Sequence, residues 1–108
     1  MAGETSILAQ SNPSASTLTD ILTVGAAAVR VGEIFICNQG TTTAAVRLSV
    51  APAGAADTAA QYLLYGTLVG PGRTLCMAFP PSGLTLNGGT IVRGYSDSAS
   101  VSFNIRGT

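Results

Sequence analysis

Charged side chains are scarce in this 108-residue sequence: its basic residues are five Arg without any Lys, and its acidic residues are three Asp and two Glu. They make up 9% of the chain, whereas soluble proteins have about 25%. The net charge is zero, so Ser, Thr, Ala and Gly must cover most of the surface. Because charge usually keeps soluble monomers apart, we expect this chain to form an oligomer or to belong to a larger assembly.

Histidine is absent, and with it the most common general base and metal ligand of proteins. The acidic residues are scattered from Glu4 to Asp97 without a close pair. Residues 66–74 are rich in glycine but lack the Gly-Lys-Ser/Thr ending of a phosphate-binding loop. We therefore predict no catalytic residue, no metal site and no cofactor, and we do not expect an enzyme. Five dispersed Arg form no basic stripe, which argues against a nucleic-acid partner.

Long apolar runs are also lacking. The mean hydropathy is +0.42, yet no stretch approaches the ~18 consecutive apolar residues of a spanning helix, so no membrane partner is expected. Residues 1–6 show neither the basic nor the apolar segment of a secretory signal, which predicts synthesis in a cytoplasm.

Cys37 and Cys76 fall in predicted strands with apolar neighbours. We interpret them as buried free thiols, with a disulfide between them as the alternative.

Short stretches that alternate apolar and polar residues are abundant. Residues 33–50 contain two runs rich in β-branched and aromatic side chains, joined by turn residues at 39–41. This pattern predicts a β-hairpin or a similar strand–turn–strand unit. In the second run every other residue is apolar, which gives one face directed to the interior: Val46, Leu48 and Val50.

The first of these two runs is apolar on both faces. Ile34 and Ile36 point to one side, and Phe35 and Cys37 point to the other. A strand of this kind is covered on both sides. In a chain this small, a partner could cover the side that carries Phe35, which makes Phe35 a candidate interface residue.

Turn residues divide the chain into about eight short strands without a convincing long helix. The predicted strands are residues 20–24, 29–38, 44–50, 61–69, 73–79, 84–86, 90–95 and 100–106. A short helix over residues 58–64 is the alternative to the start of the fourth strand. The spacing predicts an all-β fold, an antiparallel two-sheet sandwich that is jelly-roll-like in strand number.

Residues 1–19 are rich in Ser, Thr and Ala, and their apolar anchor is Ile7 with Leu8. We predict an extended N-terminal arm over residues 1–19, followed by a β-sandwich domain over residues 20–108. The arm is either a disordered terminus or a segment that packs on a neighbouring subunit. The second interpretation makes Ile7 and Leu8 candidate interface residues.

Arginine and tyrosine within strands are the other candidates for an interface. Arg in a strand either lies on a solvated face or contributes to an interface, where its planar guanidinium binds carbonyls and carboxylates. Because every basic residue is Arg and none is Lys, we favour the interface. Tyr combines a large apolar ring with a polar tip, so it serves equally well in a core or as an interface anchor. The candidate interface residues of these two types, all within predicted strands, are Arg47, Arg93, Arg106, Tyr62, Tyr65 and Tyr95.

Several segments together resemble small virion structural proteins of tailed bacteriophages. These are LAQSNPSASTLTD at 8–20, FICN at 35–38, VRLSVAPAGAAD at 46–57, QYLLY at 61–65 and VSFNI at 101–105. The resemblance covers nearly the full chain. It implies a β-sandwich protein that decorates or cements a capsid, or that sits in the tail or baseplate, and it supplies no catalytic residue.

The function expected from this resemblance and from the low charge is structural. The first expectation is a capsid decoration or cement protein, most simply a homotrimer, that is made in the host cytoplasm and bridges major capsid subunits in the virion. The alternative is a tail, baseplate or fibre-associated protein that binds a partner or a host-surface ligand through loops at 51–60 or 80–89. A cell-wall hydrolase is disfavoured because no acid–base pair is evident.

Overall fold

The computed structural model describes residues 6–80 and 83–108. They form nine β-strands and two single-turn 3₁₀ helices, which cover Pro52–Gly54 and Ala59–Gln61. Eight of the strands match the predicted ones to within one residue at each end. In chain order the strands are β1 (Ser6–Ser11), β2 (Thr19–Thr23), β3 (Val29–Asn38), β4 (Ala44–Ala51), β5 (Tyr62–Val69), β6 (Thr74–Ala78), β7 (Leu84–Leu86), β8 (Ile91–Ser96) and β9 (Val101–Gly107).

The strands form two antiparallel sheets. The five-stranded sheet has the order β1-β9-β3-β6, with the short β7 also paired to β3, and the four-stranded sheet has the order β2-β8-β4-β5. The pairs are nested: β1 lies beside β9, β2 beside β8, β3 beside β6 and β4 beside β5. A chain folded back on itself in this way and wrapped into two sheets is a jelly roll. The predicted all-β, two-sheet antiparallel sandwich is therefore confirmed.

The predicted hairpin over residues 33–50 is wrong, because β3 and β4 belong to different sheets. Residues 39–43 carry the chain across one end of the sandwich instead of turning it back in the same sheet. The inner faces of β3 and β4 both carry buried residues, with Ile36 and Leu48 each 0% exposed. Each strand buries an apolar face against the opposite sheet, and this packing outweighs the local turn signal.

The core lies between the sheets and follows the alternation of the strands. β9 shows the pattern most clearly, since its odd-numbered residues are buried and its even-numbered residues are partly exposed. The largest buried side chains come from both sheets and are Phe103, Ile34, Ile36, Leu48, Ile105, Val31, Val46, Val92 and Val101. Val50 packs against this core from a partly buried position, so the inward face predicted for β4 is confirmed.

The predicted N-terminal arm is corrected in its described part. Residues 1–5 lie outside the described residues, but Ser6–Ser11 is strand β1 and pairs with β9 at the edge of the five-stranded sheet. Beyond it, the Asn12 side chain donates hydrogen bonds to the backbone oxygens of Ala99 (2.9 Å) and Val101 (2.7 Å). Residues 6–12 are therefore part of the sandwich, because the edge of β9 offers backbone groups that β1 satisfies.

Candidate functional site

The nine predicted interface residues occupy three places in the sandwich. One group lies on the outer face of the four-stranded sheet, a second lies on the outer face of the five-stranded sheet, and one residue packs against the core. The first group is Arg47, Tyr62, Tyr65, Arg93 and Tyr95; the second is Ile7, Phe35 and Arg106; the residue against the core is Leu8. Strand alternation and register, with a bulge in β5, place the members of each of the first two groups on one face.

Arg47 lies between two tyrosine rings on the four-stranded sheet. Its register partners are Tyr95 on β8 and Tyr65 on β5. The guanidinium carbon lies 4.2 Å from the centre of the Tyr95 ring and 4.3 Å from that of Tyr65. Both distances are within the range of a cation–π interaction. The two rings therefore hold the guanidinium in a defined position at the middle of the sheet.

Tyr62 and Leu68 extend this cluster along β5. The Tyr62 ring meets the Tyr65 ring edge-on, with 5.1 Å between centres and 87° between planes. Leu68 pairs with Ala45, two residues before Arg47, and therefore shares the outer face. We call this cluster the tyrosine–arginine face; its members are Arg47, Tyr62, Tyr65, Leu68 and Tyr95.

The tyrosine–arginine face exposes much apolar area for so small a chain. Tyr65 is 66% exposed and Leu68 is 71% exposed. Both lie on β5, an edge strand of eight residues without charge or proline, whereas edge strands usually carry such residues as protection against association. Sequence reasoning overlooked Leu68. The available signal was the absence of any charge across the whole fourth predicted strand.

Arg93 is on the same sheet but has a structural role there. Its Nε atom donates to Asp20 Oδ1 at 3.1 Å, and its Nη1 atom donates to the backbone oxygen of Ala55 at 3.0 Å. The Arg93 side chain is only 13% exposed. It therefore ties β8 to β2 and to the loop that follows β4.

Tyr62 is held by an acid in that same loop. Its hydroxyl donates a hydrogen bond to Asp57 Oδ2 at 3.0 Å. Partial burial of the phenol raises the pKa of Tyr62 above its ordinary value of 10.0, and the hydrogen bond to Asp57 and the negative charge of Asp57 raise it further. Tyr62 thus stays protonated over the whole physiological range and remains a hydrogen-bond donor to Asp57.

The outer face of the five-stranded sheet carries a second, smaller cluster. Arg106 Nη1 lies 3.6 Å from Glu33 Oε1, and its guanidinium carbon lies 5.7 Å from the centre of the Phe35 ring. Beside them is an open cavity of about 440 Å³. Its lining residues are Ser6, Ile7, Phe35, Cys37, Thr74, Asn104 and Arg106. Ile7 is 52% exposed, so this face also presents apolar surface.

The two cysteines lie on this second face, and both are free thiols. Cys76 is exposed and Cys37 is half-buried, so the prediction that both are buried is wrong. The physical reason is alternation: Ile36 on β3, with Leu75 and Met77 on β6, turn toward the core, which places both thiols on the outer side.

The chemistry available on these faces is hydrogen-bond donation by arginine together with aromatic and apolar contact. Among residues 6–80 and 83–108 there is no group of three or more Cys, Asp or Glu side chains arranged to hold a metal ion. The same part of the chain has no helix long and apolar enough to span a membrane. Comparison with models of known protein families and with curated proteins finds no match to this chain.

Proposed function

We propose that this chain is a structural virion protein that decorates a phage capsid as a homotrimer and bridges neighbouring subunits of the shell. The observation that carries the proposal is the presence of arginine and aromatic clusters on both outer faces of one sandwich. The molecule measures 39 × 29 × 19 Å, so the two faces lie on opposite sides of a thin slab. A subunit with two such faces can hold two neighbours at once.

The residue types on both faces suit protein partners. Tyr and Arg are enriched among the residues that contribute most to protein interfaces, and they dominate the tyrosine–arginine face. The rest of the surface has little charge to oppose association. These features support contact with other protein subunits.

The mechanism proposed is passive stabilisation. A subunit that binds only the assembled shell lowers the free energy of that state by mass action. Many copies bound at fixed spacing each contribute a modest amount, and these contributions sum to stabilise the shell. A jelly roll is compatible with this role, because the fold occurs in viral capsid domains among others. The resemblance of the chain to small phage virion proteins points in the same direction.

Co-sedimentation tests the proposal directly. Purified protein is mixed with expanded capsids of the encoding phage that lack it, and the bound mass per particle is measured after centrifugation. We expect saturable binding at many copies per particle, and light scattering should give the mass of a trimer for the free protein. The double variant Tyr65→Ser with Leu68→Ser should bind less, whereas the control Leu18→Ser should bind normally. Failure of the unaltered protein to bind shells would overturn the proposal.

A tail or fibre location is the second candidate. The observation that favours it is the exposed loop at residues 52–61, which Arg93 anchors through Ala55 and Tyr62 anchors through Asp57. An anchored, exposed loop is a usual place for ligand binding. The other proposed loop, at 80–89, includes residues 81 and 82, which lie outside the described residues. Binding of labelled protein to intact host cells, together with only a few copies per virion, would support this candidate.

A further inference from the structure

We propose that Arg47 is a preformed receptor for one carboxylate, and that the partner surface that binds the tyrosine–arginine face presents an Asp or Glu side chain to it. The inference deepens the proposed function and rests on it for the identity of the partner as a shell protein. The carboxylate chemistry itself follows from the geometry of Arg47.

The hydrogen-bonding capacity of Arg47 is unused within the part of the chain that the structure describes. There, Arg93 pairs with Asp20 and Arg106 with Glu33, but Arg47 has neither a carboxylate partner nor a hydrogen-bond acceptor. A guanidinium has five N–H donors in a rigid plane. Its half-buried position reduces its contact with water, so an acceptor supplied by a partner would satisfy donors that the chain itself leaves unpaired.

The two tyrosines determine which ligand fits. They lie on the strands on either side of Arg47, with their ring centres 4.3 and 4.2 Å from the guanidinium carbon. The rings thus cover two sides of the group, and a ligand reaches it at the N–H edge that they leave open. A carboxylate matches that edge with two parallel hydrogen bonds. Because the two rings already hold Arg47 in place, little side-chain entropy is lost on binding.

The surroundings favour a protein carboxylate over a polyanion. Leu68 and Tyr65 give the site an apolar border that would be covered by apolar residues of a protein partner, and burial there strengthens the ion pair. Asp57 and Asp97 add negative charge to the same side of the sandwich: the first accepts from Tyr62 and the second from the backbone nitrogen of Ala45. These charges repel a chain of phosphates more strongly than a single carboxylate, because repulsion grows with the charge of the ligand.

An acetate titration tests the receptor without any partner. The Nε–Hε resonances of the arginines are followed by NMR while sodium acetate replaces sodium chloride at constant ionic strength. Arg73, which is exposed and outside the tyrosine–arginine face, is the internal control. We expect the Arg47 signal to move in a saturable way, with half-saturation at a concentration at least about threefold lower than for Arg73. Equal behaviour of the two arginines would overturn the inference.

Binding to shells tests the partner chemistry. Arg47→Met keeps the length and apolar stem of the side chain but removes the donors, and Arg73→Met is the matched control. We expect Arg47→Met to weaken binding by about tenfold or more and Arg73→Met to change it by less than about twofold. Arg47→Lys, which keeps the charge without the planar donors, should fall in between. Thermal melting of each variant checks the fold.

Chemical amidation of the shell carboxylates completes the test. Amidation should weaken the unaltered protein to the level of Arg47→Met and leave Arg47→Met itself unchanged. An equal loss for both proteins would overturn the inference. If Arg47→Met is too unstable to assay, Arg73→Met, which keeps Arg47, is compared with Arg47→Lys. Amidation should then weaken Arg73→Met more than Arg47→Lys, and an equal loss for these two variants would overturn the inference. If no protein binds any shell, the proposed function fails, and the acetate titration alone decides on the receptor.

Discussion

The side-chain nitrogen of Asn38 donates a hydrogen bond to the backbone oxygen of Val69 at 2.9 Å, which joins β3 of one sheet to β5 of the other. Asn38 is 0% exposed, and its amide makes three further bonds: Nδ2 donates to the Thr42 oxygen, and Oδ1 accepts from the Gly40 nitrogen and from Ser100 Oγ. All four hydrogen-bonding positions of the amide are filled. This side chain therefore closes the end of the sandwich where the chain crosses between sheets.

We predict that Asn38→Ala lowers the free energy of unfolding by about 3 kcal/mol, because several net contributions of about 1 kcal/mol are lost and buried partners stay unpaired. Urea denaturation measures the change. The control is Asn104→Ala, which removes an amide whose hydrogen-bond partner among the described residues is the exposed Gln10 side chain; this change should cost less than about 0.5 kcal/mol. Similar losses for both variants would contradict the role assigned to Asn38.

Gly107 is required because β3 passes too close to it for a side chain. A β-carbon there would collide with the backbone oxygen of Arg30, and a backbone atom within a sheet cannot rotate away. Gly107→Ala should therefore lower the free energy of unfolding by about 2 kcal/mol or more. At Gly25 a β-carbon would meet no atom within 4 Å among the described residues, its two chain neighbours aside. Gly25→Ala should therefore change the free energy of unfolding by less than about 0.5 kcal/mol. A tolerated Gly107→Ala would mean that β9 does not run as described.

Ile7 and Leu8 are adjacent but serve different purposes. Leu8 packs against the core, whereas Ile7 is 52% exposed on the outer face. Leu8→Ala should lower the free energy of unfolding by about 1–2 kcal/mol, since it removes methyl groups from a half-buried site. Ile7→Ala should be nearly neutral in the same denaturation experiment and, under the proposed function, should weaken shell binding. Equal stability losses would show that β1 does not pack as described.

Two buried serines allow a test of what a hydrogen bond to a buried hydroxyl contributes to stability. Ser49 and Ser96 are both 0% exposed. Within the described residues Ser49 Oγ has no hydrogen-bond partner, whereas Ser96 Oγ accepts from the Ser98 nitrogen at 3.1 Å. Ser49→Ala should be neutral or raise the free energy of unfolding by up to about 1 kcal/mol, and Ser96→Ala should lower it by about 1 kcal/mol. Thermal and urea denaturation should show Ser49→Ala to be the more stable of the two variants. The reverse order would contradict the roles assigned to the two hydroxyls.

The raised pKa of Tyr62 predicts a loss of stability in alkali. In the unfolded chain the phenol ionises near its ordinary pKa of 10.0, but in the folded chain it holds its proton to higher pH. Between the two pKa values the folded state binds more protons, so the free energy of unfolding falls as pH rises. Tyr62→Phe should remove the contribution of Tyr62 to this fall above pH 10. At neutral pH the free energy of unfolding of the variant should be similar to that of the unaltered protein. Asp57→Asn should lower the pKa of Tyr62 in an ultraviolet titration; an unchanged pKa would exclude Asp57 as a cause.

Much of the fold follows from local patterns in the sequence. Eight strands were predictable to within one residue at each end, because β-branched and aromatic runs bounded by glycine and proline are decided locally. β1 was not, since SILAQS is short and mixed in character. It becomes a strand by pairing with β9, nearly one hundred positions away, and no local pattern announces such a partner.

The candidate site was predictable by residue type but not by arrangement. Arginine and tyrosine in strands indicated an interface, yet simple alternation places Tyr62 and Tyr65, three positions apart, on opposite faces. In the structure the register of β4 against β5 shifts twice, and the extra residues are Leu63 and Gly66. The bulge at Leu63 returns both rings to one face.

The positions of most strands, and the apolar side of each, follow from the sequence, because both depend on residues a few positions apart. The separation of β3 and β4 into different sheets and the place of Arg47 between Tyr65 and Tyr95 follow from the folded chain. Pairing and bulges depend on backbone hydrogen bonds between distant segments, which every residue except proline can form. The choice among them is therefore made by packing of the whole chain rather than by any local pattern.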